Sequence, residues 1–401
     1  MDLKSGYPYS LIKNGLVAEY PKLQHDKTAD VVIIGGGISG ALTAYHLIAA
    51  GFSCIIADAR SVGLGSTCAS TSLLQYEIDI PLHKLAMQIG EKDATRCYKL
   101  CEEAIEKLMA IAHRIGFKDI QPKKSFYFAA DEKDGQMLQK EFSVRKEKGF
   151  KVSWLNEEAV LKKTGFKAPA AILSKSGAQT NAYLFTHALH QYSIKKGLKV
   201  YDRTEIVTIK HNRRHVILKT KEGYVIRAKK LVYATGYDVK KYISQPIVKL
   251  QSTYAVISEV INLQTPFWAN DMLIWNTADP YLYIRSTPDN RILVGGRDED
   301  FYSPRKRDAL LPAKTRSLVK DFKKLFPDIP FVPEFSWAGT FGSTKDGLPF
   351  IGAYKKLPNS FFALGFGGNG ITFSLIAAEI ITDALKKKKN PNANLFSFER
   401  L

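Results

Sequence analysis

Early in the chain the hydrophobic rhythm changes twice. Val31, Val32, Ile33 and Ile34 form an unbroken β-branched run, the composition of a strand covered on both faces. Gly35, Gly37 and Gly40 follow. Ala41, Leu42, Ala44, Tyr45, Leu47 and Ile48 then recur near helical spacing, and Gly51 stands where a helix would stop. SCIIAD restores a short apolar run ending on Asp58. Strand, glycine turn, helix and strand in that order predict the opening of a parallel α/β sheet.

The same reading extends down the chain. Residues 91–116 predict one long amphipathic helix, SFYFAA from Ser125 a strand, and the charged stretch 131–148 a surface helix. Asn181 reads as the N-cap of a helix reaching about residue 196, with GLKVYD as the strand after it. TEIVTI and the segments behind it, broken at HNRRH and KEGY, predict a small antiparallel unit. LVYATGYD, from Leu231, is again a buried strand with an Ala-Thr-Gly turn at Gly236, as though the chain had returned to its first sheet. Residues 250–297 alternate apolar and polar positions around a TPDN turn, which predicts an antiparallel sheet. Near the end, FFALGFGGNGITFSLIAAEIITDAL runs from an apolar strand through Gly365, Gly367, Gly368 and Gly370 into a helix.

Residues 31–52 contain no acid, lysine or arginine, and about 20 uncharged residues are enough to cross a bilayer. The clustered glycines and the polar Ser39, Thr43 and His46 argue against a lipid-facing helix, and a secretory leader would not follow so many polar residues. The cofactor reading gives each residue a task. Gly35 permits a tight turn, Gly37 lets a pyrophosphate approach the backbone, and Gly40 allows close packing of helix on sheet. Asp58, at the end of the second strand, suits an adenosine ribose. The distant second glycine turn would place another set of helix-start amides near an electron-rich ligand. A long cofactor contacted at both ends requires two such turns.

At 401 residues the chain has room for about two to three domains, and a two-domain enzyme is the simplest fit. Its cysteines, Cys54, Cys68, Cys97 and Cys101, lack partners at metal-ligand spacing. That excludes a metal site by this signal and suits a reducing cytoplasm. The net charge of +19 raises the question of a polyanion partner. Lysines occur throughout, however, and the dense run 386–389 complements a helix C-terminus. Nucleic acid is therefore an unlikely partner, and a small molecule the expected one.

These motifs together resemble the FAD-dependent amino acid and amine oxidoreductases, the group containing D-amino acid oxidase, glycine oxidase and sarcosine oxidase. The resemblance rests on DVVIIGGGISG with SCIIAD, the GST loop, TEI, the ATG turn and TKDGLPFIG with GFGGNGI. It implies an α/β protein: a Rossmann-like FAD-binding domain with a discontinuous α+β substrate domain built on an antiparallel sheet. The FAD-binding domain would take residues 1–80, 150–250 and 335–401, and the substrate domain 81–149 and 251–334. By the resemblance Gly35, Gly37 and Gly40 would hold the pyrophosphate and Asp58 the ribose. Arg60, Ser66 and Thr67 would lie along the cofactor, and Ile206 would meet the adenine. Gly236 sits in the ATG turn, and Gly367, Gly368, Asn369, Gly370 and Ile371 would approach the flavin.

Departures from the family pattern bear on substrate and acceptor. Where glycine-oxidase-like members carry a carboxylate-clamping arginine, this chain has Phe341, and a phenyl ring cannot make two parallel hydrogen bonds. Either Arg285 or Arg297 replaces it, or the substrate lacks a carboxylate there; Tyr254, Tyr281 and Tyr283 could line an amine pocket. The cysteine that binds flavin covalently in sarcosine-oxidase-like members has no counterpart after Cys101, so the FAD is expected to be non-covalent. Their oxygen-promoting lysine is missing from RILVGG, which leaves oxygen or an unknown acceptor. The leading expectation is oxidation of an amine or amino acid derivative to an imine by hydride transfer. The alternative, a tRNA-modifying flavoenzyme acting on an aminomethyl-uridine group, rests on the charge alone.

Overall fold

The computed structural model describes residues 1–243, 245–262 and 266–400. The β-branched run lies in the strand Lys27–Ile34, where Val31, Val32 and Ile33 are fully buried. It pairs in parallel with Cys54–Ala57 on one side and Val225–Tyr233 on the other, and Cys54–Ala57 pairs in parallel with Lys199–Tyr201. Side-chain alternation splits the run: Val31 and Ile33 pack with Leu42, Leu47 and helical residues beyond, Val32 and Ile34 with Leu231, Tyr233 and Phe362. Covering both faces explains the absence of polar residues, because each such side chain contributes about 1.5–3 kcal/mol when buried.

The segment 31–52 is thus no continuous span. It divides into a strand and the helix Ile38–Ala49. Among the described residues no helix is long and apolar enough to cross a membrane.

Val225–Tyr233 joins two expected units into one. Its first half pairs with Val216–Thr220, which pairs with Ile206–His211; its second half, Leu231 to Tyr233, pairs in parallel with Ser360–Leu364. Ser360–Leu364 also pairs antiparallel with Phe350–Ala353. The chain does return to its first sheet at LVY, but without a break after the antiparallel unit. Helices Ile38–Ala49, Ala182–Ile194, Glu91–Arg114 and Gly370–Leu385 pack together over this sheet. The Asn181 side chain accepts the Leu184 amide at 3.1 Å, the expected N-cap.

The second sheet has nine strands, in the order Lys4–Gly6, Pro333–Ser343, Lys249–Ser258, Ile292–Glu299, Tyr283–Ser286, Leu273–Asn276, Ser125–Phe128, Ala170–Ser174 and Val152–Asn156. All neighbours are antiparallel except Leu273–Asn276 against Ser125–Phe128. Sheet membership departs from the expected boundaries. Val152–Asn156, Ala170–Ser174 and most of Pro333–Ser343 fall in segments expected on the nucleotide side but pair here, as does the N-terminal Lys4–Gly6. Strand length and hydrophobicity cannot report which sheet a strand will join.

A buried charge cluster fixes the segment between the two sheets. Glu141 accepts the backbone amides of Leu82 (2.9 Å) and His83 (3.0 Å), capping the helix Leu82–Ile89, and also binds His83 Nδ1 at 2.6 Å and Arg145 Nε at 2.7 Å. Arg145 reaches Glu77 at 3.3 Å. Burial raises both carboxyls, but Glu141 has enough donors to end up lowered to about 2, whereas Glu77, whose Oε2 has no partner, stays raised. Arg145→Met leaves two buried carboxylates without their cation. It should cost about 3–5 kcal/mol at neutral pH, read as a lowered midpoint in urea unfolding. For Glu141 itself, the stabilisation present above its unfolded pKa of about 4.3 should fade in the native protein as pH falls towards about 2.

Candidate active site

The parallel strands of the first sheet end at a cleft enclosing about 1910 Å³ of empty space, part of it open to solvent. Both glycine turns line it: Gly35 and Gly37 from one, Gly367, Gly368 and Gly370 from the other. The helices they begin, Ile38–Ala49 and Gly370–Leu385, lie side by side, and Ser39 Oγ meets Ser374 Oγ at 2.6 Å. Two helix starts therefore face one space, each favouring negative charge.

The first turn leaves no room for side chains. Gly35 has φ +104°, and a Cβ on Gly40 would stand 1.9 Å from the Gly35 carbonyl oxygen, so the helix sits directly on the turn. A Cβ on Gly37 would meet Thr67 Oγ1 at 2.7 Å. Asp58 fastens the turn by accepting the Gly36 amide at 2.7 Å and the Arg60 amide at 2.8 Å. His190 Nε2 donates to the Gly36 carbonyl at 2.8 Å, and burial holds this imidazole neutral with a pKa lowered to about 4.

The hydroxyl-rich loop after Asp58 folds over the turn. Thr67 Oγ1 accepts the Ile38 amide at 3.1 Å, while Ser66 Oγ faces inward with no partner. Arg60 reaches Asp238 at 2.9 Å on the rim, and Ile206 and Gly236 complete the same end.

At the other end Gly367 (φ +55°) crowds against Asp79, whose carboxylate accepts the Gly368 amide at 2.9 Å. Ile371 lines the cleft. Asn369 turns away from it, donating to the carbonyls of Gln75 (3.0 Å) and Glu77 (2.8 Å) and so tying the turn to the loop above the buried charge cluster.

A third wall comes from the second sheet: Thr253, Tyr281, Tyr283, Asp298, Gly339, Thr340 and Phe341. Of the six residues expected on the substrate side, Phe341, Tyr281 and Tyr283 lie here, and Arg285, Arg297 and Tyr254 do not. Arg285 is buried behind the wall, its guanidinium donating to the carbonyls of Thr71 (2.7 Å) and Ser286 (3.1 Å), and burial lowers its pKa to about 10. Arg297 points to the surface in a two-bond pair with Asp321 at 2.6 and 2.7 Å. Tyr254 is fully buried in the core beneath the sheet, with Lys314 over its ring.

Sequence reasoning passed over Asp79, Thr235, Tyr237 and Asp298. Asp79, in QYEID directly after the hydroxyl-rich loop, had a positional signal. Asp298 had none, because its direction depends on strand register.

The donors present fit a dinucleotide. Two helix starts, an inward hydroxyl at Ser66, an unpartnered buried Thr235 Oγ1 and turns that a Cβ would block give a phosphate-bearing ligand what it needs at both ends. The family model described as FAD dependent oxidoreductase matches residues 30–384. The chain belongs to this family. Its cofactor is FAD.

Similarity to individual relatives is moderate and covers most of this chain. The chain is 25% identical to glycine oxidase of Geobacillus kaustophilus over 90% of its own length and 93% of the relative's. It is 24% identical to a putative Rieske 2Fe-2S iron-sulfur protein of Bacillus subtilis, over 95% and 73%. With gamma-glutamylputrescine oxidoreductase of Escherichia coli the identity is 22% over 92% and 86%. The crystal structure of the Geobacillus glycine oxidase superposes with a TM-score of 0.77, covering 94% of this chain and 99% of that one at 21% identity.

Asp58→Asn would turn an amide NH₂ towards one of the two backbone donors that now bind separate carboxylate oxygens, and would remove the charge from the bond to the other. Loss of those charge-assisted bonds should weaken FAD binding roughly 10- to 100-fold, measured by fluorescence titration of the FAD-free protein.

Proposed function

We propose that this FAD-dependent oxidoreductase oxidises an amine or amino acid derivative to an imine, and that its substrate lacks an α-carboxylate at the usual clamping position. The observation behind this reading is the composition of the third wall. Its side chains are aromatic, hydroxyl or acidic, and Arg60, at the opposite end, is the one cation among the described residues lining the cleft. A substrate carboxylate would find no bidentate partner there.

The chemistry FAD supplies when bound is acceptance of a hydride from the carbon bearing nitrogen, leaving an imine that water hydrolyses. The protein's part is placement and field. The amides of the Gly370–Leu385 helix start favour negative charge at the flavin end of the cleft. Phe341, Phe366 and the tyrosines exclude water from the face where substrate would lie. None of the four buried cysteines lines the cleft, so no cysteine is placed to bond the flavin, which supports a non-covalent FAD.

Relatives named for glycine and gamma-glutamylputrescine support a small nitrogen-bearing substrate, and they lend no support to the tRNA-modifying alternative. Among the described residues no lysine lines the cleft, which leaves the electron acceptor as oxygen or another molecule.

The test is anaerobic mixing of the yellow protein with amines and with matched α-amino acids. Amines lacking an α-carboxylate should bleach the flavin's visible absorbance and their carboxylated counterparts should do so poorly. Phe341→Arg should raise the relative kcat/KM for carboxylated substrates about 10-fold. Bleaching by α-amino acids alone would contradict the proposal.

A further inference from the structure

The strands Lys249–Ser258 and Ile292–Glu299 lose register at one point. Tyr254 pairs with Gly296 and Ser252 with Glu299, so Thr253 alone faces both Arg297 and Asp298. This is a β-bulge. Gly296 has φ +133° and Arg297 φ +59°, the left-handed region that arginine rarely occupies. Strain of this kind persists where surrounding structure enforces it, and it concentrates at functional sites. The bulge has a definite effect here. It sends Arg297 out to Asp321 and turns the next side chain, Asp298, into the cleft.

Asp298 arrives there incompletely paired. Its Oδ1 is shut off from solvent and has no hydrogen-bond partner. A buried acceptor left open in a native protein calls for an explanation, and no arginine or lysine of the cleft supplies one. Around it stand the rings of Tyr281 and Tyr283, 5.8 Å apart and inclined at 49°. Tyr283 lies so close over Gly295 that a Cβ there would sit 2.2 Å from its ring, so the glycine reserves the ring's position. A carboxylate beside inclined aromatic faces is the chemistry that recognises an ammonium group.

We infer that Asp298 is the substrate's counter-ion: it holds the ammonium of an amine against Tyr281 and Tyr283 and makes the cleft select cationic amines over amino acids. This rests on the amine-oxidation reading and narrows its substrate class. Asp298 is a specificity residue in the same cleft, and Asp79, whose pKa burial raises, places a second carboxyl beside Tyr281.

Burial pushes the Asp298 carboxyl up to about 6, so it is ionised at neutral pH and protonates just below. The groups that set this value are Thr253 on the facing strand, Asp79 above the second glycine turn, Asp279 in the loop before Tyr281, and Lys314 on the helix Pro304–Leu325. Asp79 and Asp279 raise it, while Thr253 and Lys314 lower it.

The test uses the FAD-loaded protein and two probes that cannot be oxidised by hydride loss beside a nitrogen lone pair: benzyltrimethylammonium and benzoate. Binding is measured by calorimetry and by perturbation of the flavin spectrum. The quaternary cation should bind and benzoate should not. Because the cation does not titrate, its affinity should rise with pH through about 6 as Asp298 ionises. Asp298→Asn should weaken cation binding about 30-fold or more and flatten that pH profile, and Asp298→Glu should recover part of both.

Tighter binding of benzoate than of the cation, or an affinity flat across pH in the unmodified protein, overturns the inference, and the second result needs no variant to fold. Amine-dependent bleaching together with unchanged cation binding by Asp298→Asn overturns this inference alone. Cation binding as expected with no bleaching by any amine overturns the oxidation reading instead.

Discussion

Two helices that begin at almost the same place govern the architecture of this protein. Ile38–Ala49 and Gly370–Leu385 start side by side, joined through Ser39 and Ser374, and both starts open on one cleft. Unpaired amides at a helix start need a partner, and bringing two sets together unshielded would be repulsive. The arrangement becomes favourable when an extended, electron-rich molecule lies across both. The close-packed glycines follow from this, since each turn must let backbone reach the ligand.

The remaining walls are adjusted to that pairing. Asp58 and His190 grip the first turn from below, and Asn369 ties the second to the loop at Gln75 and Glu77. That loop is in turn held by Arg145 and Glu141. A charge cluster far from the nucleotide end thus sets the height of the flavin-side turn. The nine-stranded sheet closes the third side and decides which molecules fit beside the cofactor.

The cofactor half was largely legible in the sequence because its demands are steric and local. A Cβ on Gly35 or Gly40 would strike a carbonyl and one on Gly37 the Thr67 hydroxyl, so these three glycines stand out against any background. The substrate half was not legible in the same way. Arg285 and Tyr254 sit in the right strands, yet one is turned to carbonyls behind the wall and the other faces the core. Period-two alternation predicts which residues share a face only while register holds, and the bulge at Arg297 breaks it. Sheet membership was hidden for a related reason: the partners of Lys4–Gly6 and of Ala170–Ser174 are set by contacts remote in sequence.

Both sheets depend on strands from late in the chain. Lys4–Gly6 waits for Pro333–Ser343, and the second half of Val225–Tyr233 waits for Ser360–Leu364. During synthesis, at about 5–20 residues per second, most of the polypeptide leaves the ribosome before either sheet has its full complement. The bare flank of Leu231, Val232 and Tyr233 is an apolar strand edge throughout that interval, open to pairing with another nascent chain. Assembly of this fold is a race between its own final segment and its neighbours, and shielding by a chaperone at that edge would tilt the outcome.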